Sequence, residues 1–298
     1  MPGTITRREF VTKTALATAA LSTLGTLSSC SSEKSQPSMK FGLVTYLWGK
    51  DWDLPTLIAN CETAGFAGVE LRTQHKHGVE PSLSAEQRKE VKKRFEDSPV
   101  ECVGYGSNQE FHSPDPEELK KNIEGSYELI KLCHDIGASG LKVKPNNLPD
   151  EIDPKITIRQ IGESLNKIGK FAQDYGQKIR VEVHGRKTAQ PSVMKAIFEY
   201  VSEPNVGMCW NCNKIDLDPP GFEANFNMVK DRFGDTVHIR ELNDKSYPYQ
   251  QLFNLFVKNN YHGWILLEAR TKPQDRVAAM QEQMALFNKM LANAQKTV

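Results

Sequence analysis

Ile179-Arg180-Val181-Glu182-Val183-His184 (IRVEVH) is an apolar run that ends on ionisable side chains. In an extended chain alternate residues share a face, so Glu182 and His184 lie together, opposite Val181 and Val183. Three later stretches have the same character: Gly207–Asn213 (GMCWNCN), Val237–Leu242 (VHIREL) and Ile265–Arg270 (ILLEAR). His238 shares a face with Arg240, and Glu268 with Arg270. A buried charge costs several kcal/mol unless it is paired or ligated. Its recurrence at the ends of successive buried strands predicts one common site. Two carboxylates and an imidazole are donors suited to Mn²⁺, Mg²⁺, Co²⁺ or Zn²⁺. A buried ion-pair network is the alternative use of the same groups.

Outward from these stretches, short β-like runs alternate with amphipathic helical ones. Strands are expected to begin at Phe41, Gly68, Val100, Gly140, Ile179, Val206, Val237 and Trp264. Helices are expected at Leu54–Ala64, Ala85–Phe95, Pro116–Ile136, Ile156–Tyr175, Ser192–Val201, Phe222–Arg232, Tyr249–Lys258 and Gln274–Ala294. Leu119, Ile123, Tyr127, Ile130 and Cys133 show the three-to-four spacing of a helix face. Gly65, Gly137, Gly176, Gly234 and Gly263 fall at helix-to-strand joins and are expected as left-handed caps. Eight β-then-α units predict an α/β fold of one domain, a closed (β/α)8 TIM barrel over 39–298. An open doubly wound sheet is the rival, but no Gly-rich phosphate loop follows the first strand. In a barrel the active site lies where strands end, as these polar residues do. Glu70 and Arg72 end the second strand, and Lys142 and Lys144 share a face on the fourth.

Residues 1–29 read as a leader. Arg7-Arg8 forms a twin-arginine pattern, followed by an apolar stretch, Ala15 to Leu27, too short for an ordinary membrane span. Leu27-Ser28-Ser29-Cys30 resembles the bacterial lipobox, which implies lipidation of Cys30 and attachment to a membrane. Residues 30–38 then form a flexible tether. The expected location is outside the cytoplasm, periplasmic or on the outer surface. The net charge is +1 for the whole chain and about −1 without the leader. No basic face is evident, which argues against nucleic acid as a partner. Lys and Arg in QRKEVKKR (Gln87–Arg94) read as a solvated helix face. Apart from Cys30, the cysteines lack disulfide-framework spacing. Cys209 and Cys212, three apart on a strand, read as buried small side chains rather than a redox or zinc pair.

From Met39 onward the chain resembles the xylose-isomerase-like barrel superfamily, the sugar phosphate isomerases/epimerases. That pattern places metal ligands Glu, Asp, His and Glu at the ends of strands five to eight. Glu182 in VEVH, His238 in VHIREL and Glu268 in LLEAR match three of them. Asn211, in Trp210-Asn211-Cys212-Asn213-Lys214, stands where the aspartate belongs, and Lys214 where a His often follows. An amide oxygen ligates without adding charge, so metal affinity falls or a harder ion is favoured; Asn213 and Asp216 are nearby substitutes. The resemblance further implies that Glu182 and Glu268 exchange a proton with the carbon beside a carbonyl while a divalent metal polarises that carbonyl. Glu70, Lys144, His184 and Arg240 are candidate contacts for substrate hydroxyls or an oxyanion. Arg72 with His75 and His77, and His112 after the third strand, are candidates to line a sugar pocket. Trp48 is expected either to stack on a sugar ring or to pack at the barrel mouth, and Lys142 to pair with a neighbouring carboxylate.

The expected function is that of a metal-dependent sugar isomerase or epimerase acting on a free or glycosidic sugar outside the cytoplasm. A lyase that eliminates the aglycone from 3-keto-glycosides uses the same acid–base chemistry. A lipoprotein that captures sugars without catalysis is the third reading, favoured by Asn211. A DNA-repair endonuclease would need a richer set of His, Asp and Glu and a DNA-binding surface. The expected partner is a small-molecule sugar or glycoside, with homo-oligomer formation left open.

Overall fold

A computed structural model describes residues 38–297; the leader, Cys30 and nearly all of the tether lie outside the described residues. Eight parallel strands form the barrel: β1 (Lys40–Val44), β2 (Gly68–Arg72), β3 (Glu101–Glu110), β4 (Gly140–Lys144), β5 (Lys178–Glu182), β6 (Val206–Asn211), β7 (Phe233–Ile239) and β8 (Trp264–Leu267). They pair in sequence order, and β1 closes the ring on β8 through the register Lys40↔Trp264 to Leu43↔Leu267. The helices are α1 (Leu54–Thr63), α2 (Ala85–Glu96), α3 (Pro116–Asp135), α4 (Pro154–Asp174), α5 (Pro191–Phe198), α6 (Phe222–Val229), α7 (Tyr249–Lys258) and α8 (Arg276–Gln295). Several begin as their sequence dictates. The Asp53, Asp115 and Asp153 side chains accept from the first turns of α1, α3 and α4, which carry Pro at their start. Ser84 and Gln87 cap α2 reciprocally.

The core has two parts. The larger lies between the outward faces of the strands and the helices, including Leu43, Leu71, Leu141, Val181 and Leu267. A small cluster of Val44, Val103, Trp264 and Leu266 stands apart from it. Glycines make room inside the barrel: a Cβ on Gly104 would overlap the Arg180 guanidinium, and one on Gly106 would sit 2.9 Å from Glu70 Oε1. The space they leave holds buried Glu70, Lys142, Arg180, Glu182 and His238. At the N-terminal ends of the strands, Arg180 Nε donates to Asp235 Oδ1 (2.9 Å) and Arg180 Nη1 to the Val103 carbonyl (2.8 Å).

The expected strands and helices are present, with local differences. β7 begins at Phe233, four residues before Val237, because Met208 pairs with Phe233 and the register then shifts. Gly65, Gly137 and Gly176 take positive φ (75°, 77° and 63°), as expected of left-handed caps. Gly234 and Gly263 do not. Gly234 lies within β7 against Gly207, and at Gly263 a Cβ would approach the Asp235 carbonyl oxygen to 2.7 Å. Asn260 (φ 54°) supplies the left-handed residue before β8. The end of α6 tightens into a 3₁₀ turn, Lys230–Arg232. A two-residue parallel pairing, Asn146↔Gly185 and Asn147↔Arg186, links the segments that follow β4 and β5. Among the described residues no helix is long and apolar enough to cross a membrane.

Candidate active site

The C-terminal ends of β5, β7 and β8 bring Glu182, His238 and Glu268 together. Each offers one ligand atom, and these atoms all lie within 4.8 Å of one another. All three are buried, at 2%, 0% and 5% exposure. His238 Nδ1 is 3.9 Å from Glu182 Oε1, and Nε2 is 3.2 Å from Glu70 Oε1. Among the described residues no group makes a well-directed hydrogen bond to either imidazole nitrogen or to either oxygen of Glu70. A buried lone pair left in this state is costly. With Glu70 behind Nε2, the imidazole is placed as in a carboxylate–histidine–metal arrangement, with Nδ1 left for the ion. The donor set therefore fits a divalent cation held by Glu182, His238 and Glu268.

The acidic groups already carry cations of their own. Lys142 Nζ is 2.6 Å from Glu182 Oε2 and 3.3 Å from the Ser107 carbonyl oxygen. Asn211 Nδ2 donates to Glu182 Oε1 at 3.0 Å, so both oxygens of Glu182 accept from buried donors. Arg72 Nη1 donates to Glu268 Oε1 at 3.1 Å, and its guanidinium lies 5.2 Å from the centre of the Tyr46 ring. Oε2 of Glu268 accepts no hydrogen bond from a described residue. Burial pushes the Glu182 carboxyl up, but Lys142, His238 and His184 outweigh it and hold it below the carboxylate range. Glu70 is likewise depressed against its burial by His238, Lys142 and Arg180. Burial lowers His238, yet Cys209 and Glu70 overcome it and raise the imidazole well above its ordinary pKa.

The other expected residues ring the mouth. Lys144 Nζ is 3.3 Å from Glu110 Oε1, and burial followed by Lys142 lowers its pKa. His112 Nδ1 is 3.7 Å from Glu110 Oε2. His184 Nδ1 sits 2.9 Å from Asn146 Oδ1. The Arg240 backbone N–H donates to Tyr249 Oη (3.1 Å), while Arg240 Nε is buried with no partner among the described residues. Trp48 is 2% exposed and donates to the Thr271 carbonyl at 3.1 Å. His75 Nδ1 faces Thr45 Oγ1 at 3.1 Å, and burial with His77 nearby drops its pKa to about 4.

Asn213 and Asp216 stand apart from the three converging ligands. Asn213 Nδ2 donates to the Val183 and Asn211 carbonyls. Asp216, in a 3₁₀ turn (Lys214–Leu217), accepts from Asn213 N–H (2.9 Å) and Tyr247 O–H (2.7 Å). Cys209 and Cys212 are buried free thiols. Sequence reasoning missed the partner of Lys142 and the contribution of Asn108, whose Oδ1 lies 3.4 Å from both Arg72 Nη2 and Lys144 Nζ. Asn108 is the eighth residue of β3, a strand of ten residues. A cavity of about 1040 Å³ occupies the opposite end of the barrel, lined by Lys178, Asp235 and Tyr261, and includes none of these groups.

Residues 58–290 match the xylose isomerase-like TIM barrel family. Among solved structures, an L-ribulose 3-epimerase is similar at 15% identity and TM-score 0.76, covering 87% of this chain and 96% of that one. The 3-keto-D-glucoside 4-epimerase YcjR from E. coli is similar at 14% identity and TM-score 0.70, covering 85% and 100%. The IOLI protein, solved with a binding zinc atom, is similar at 14% identity and TM-score 0.70, covering 86% and 99%. At such identities these likenesses establish the fold.

Proposed function

The chain belongs to the xylose isomerase-like TIM barrel family, and from that premise we propose that it is a sugar isomerase or epimerase that moves a proton next to a carbonyl. The observation that carries this reading is the convergence of Glu182, His238 and Glu268 within 4.8 Å at the strand ends. The sugar epimerases among similar structures support the same substrate class.

A divalent cation held by Glu182, His238 and Glu268 would supply a Lewis acid for the substrate carbonyl. Glu268 is the residue placed to take the proton, because no described residue donates to its Oε2 while Arg72 holds Oε1. Arg72, fixed over Tyr46, orients Glu268 and adds positive charge where negative charge develops. Glu182, held by Lys142 and Asn211, is the second carboxylate of the pair. Lys144, His184 and Arg240 line the approach and are assigned to substrate hydroxyls. The setting proposed is extracytoplasmic, with Cys30 as the lipidated anchor, on the strength of the Arg7-Arg8 leader and the stretch ending at Cys30. The substrate class is then a free or glycosidic sugar.

The test is exchange of solvent deuterium into candidate sugars, with Mn²⁺ or Co²⁺ supplied. We expect exchange at the carbon beside the carbonyl, and a loss of about 10²-fold or more for Glu268→Gln. A Glu268→Gln protein that exchanges as fast as the parent removes Glu268 from the chemistry.

The asymmetry of the two carboxylates favours elimination as a second reading. Among the described residues both oxygens of Glu182 are engaged and only one oxygen of Glu268 is. One base suffices to remove the C2 proton of a 3-keto-glycoside as the aglycone leaves C1. Release of aglycone from a 3-keto-glucoside, without ketose–aldose conversion, selects this reading.

A further inference from the structure

We propose that Lys142 is a resident cation of the centre, which keeps its hold on a divalent ion weak and exchangeable. This rests on the reading that Glu182, His238 and Glu268 hold such an ion. It goes beyond that reading by assigning the strength of the hold to a residue that is not a ligand.

Lys142 is fully buried, its Nζ closed in by Glu182 Oε2 at 2.6 Å and the Ser107 carbonyl oxygen at 3.3 Å. It comes from β4, one strand from Glu182 in the barrel order, where it is in register with Arg180. Glu268 has its own cation in Arg72 at 3.1 Å. Each acidic ligand thus meets an incoming ion with its charge already opposed. Asn211, which also contacts Glu182, brings an amide dipole and no charge. The remaining buried carboxylate nearby, Glu70, faces the far nitrogen of His238. A divalent ion on Glu182 would share that carboxylate with an ammonium group that is fully buried. Repulsion between two cations on one carboxylate is large where solvent is excluded. The centre is therefore charge-limited: its donor atoms converge, and its electrostatics resist full occupation.

The direction of the effect separates this role from a structural one. If Lys142 only braced Glu182, removing it would loosen the site and weaken metal binding. As a competing charge, its removal strengthens binding. The experiment is a Mn²⁺ titration of the metal-stripped full-length protein, followed by calorimetry and by the EPR signal of free Mn²⁺, alongside Lys142→Met, Lys142→Gln and Lys142→Arg. We expect Lys142→Met and Lys142→Gln to bind Mn²⁺ at least tenfold more tightly than the parent, and Lys142→Arg, which keeps the charge, to stay near it. Asn211→Asp should tighten binding as well. Far-ultraviolet circular dichroism and thermal unfolding establish that each variant is folded, and Lys142→Gln carries the comparison if the Met variant is not. Equal or weaker binding by the neutral variants overturns the proposal while leaving the metal centre standing. So does a parent protein that retains its ion through dialysis against EDTA. If neither the parent nor any variant binds Mn²⁺, Co²⁺ or Zn²⁺, the metal-centre reading falls, and this inference with it.

Discussion

Asp216 has a carboxylate oxygen, Oδ1, that is buried with no partner among the described residues, while Oδ2 accepts from Asn213 N–H and Tyr247 O–H. Burial dominates, against the Tyr247 and Asn213 hydrogen bonds and the Arg240 charge, and raises its pKa from 3.8 to about 7. Between those two values the folded protein keeps a proton that the unfolded chain has released. Stability therefore falls as pH rises through that window and is lowest above it. Asp216→Asn removes the titration, so its unfolding free energy relative to the parent should improve between about pH 4 and about pH 7 and stay level above that. Each unit of pKa displacement corresponds to about 1.4 kcal/mol. Parallel stability–pH curves for the two proteins would contradict the assignment. Asp216 was visible in the sequence only as a spare ligand, because its partner Tyr247 lies far along the chain. The three converging residues were legible because each ends an apolar run with period-two spacing. The Lys142–Glu182 contact was not: β4 pairs Lys142 with Arg180, and only side-chain reach along the barrel brings Nζ to Glu182.

At the scale of strands, glycine and arginine are matched inside the barrel. Arg180 joins β5 to Asp235 on β7 and to the Val103 carbonyl on β3, and Nη2 also donates to Ser139 Oγ at 2.7 Å. Burial would push Asp235 up, but Arg180 prevails and its pKa falls to about 2. Removing one member of a buried pair leaves the other charge stranded. Asp235→Asn should cost about 3 kcal/mol, read as a lower urea midpoint. Gly104→Ala should destabilise as well, since its Cβ would overlap Arg180 Nη1 and approach the Gly140 carbonyl oxygen to 2.9 Å. If Gly104→Ala unfolds at the same urea concentration as the parent, the cradle around Arg180 has been misread. The alternation of strands and helices was legible here from hydrophobic period alone. The start of β7 and the roles of Gly234 and Gly263 were not, because both depend on which strand lies alongside and how closely.

For the whole molecule, direction is the feature that matters. All eight strands run parallel, so the candidate site gathers at one rim and the chain enters at the other. Ser38 N–H donates to His262 Nδ1 at 3.4 Å, just before β8 begins. Coupling to a resin through a tag placed ahead of Ser38 should therefore leave kcat/KM near that of the free protein. Coupling through Lys245→Cys, on the exposed loop after β7, should lower it. Equal losses by both routes would place the working surface elsewhere. Closure of such a barrel from its own alternating pattern was foreseeable; the bridge between Asn146–Asn147 and Gly185–Arg186 was not, since it joins two loops with no strand-like composition. The first described residue is thus held at the floor of the barrel, away from the rim that carries Glu182, His238 and Glu268.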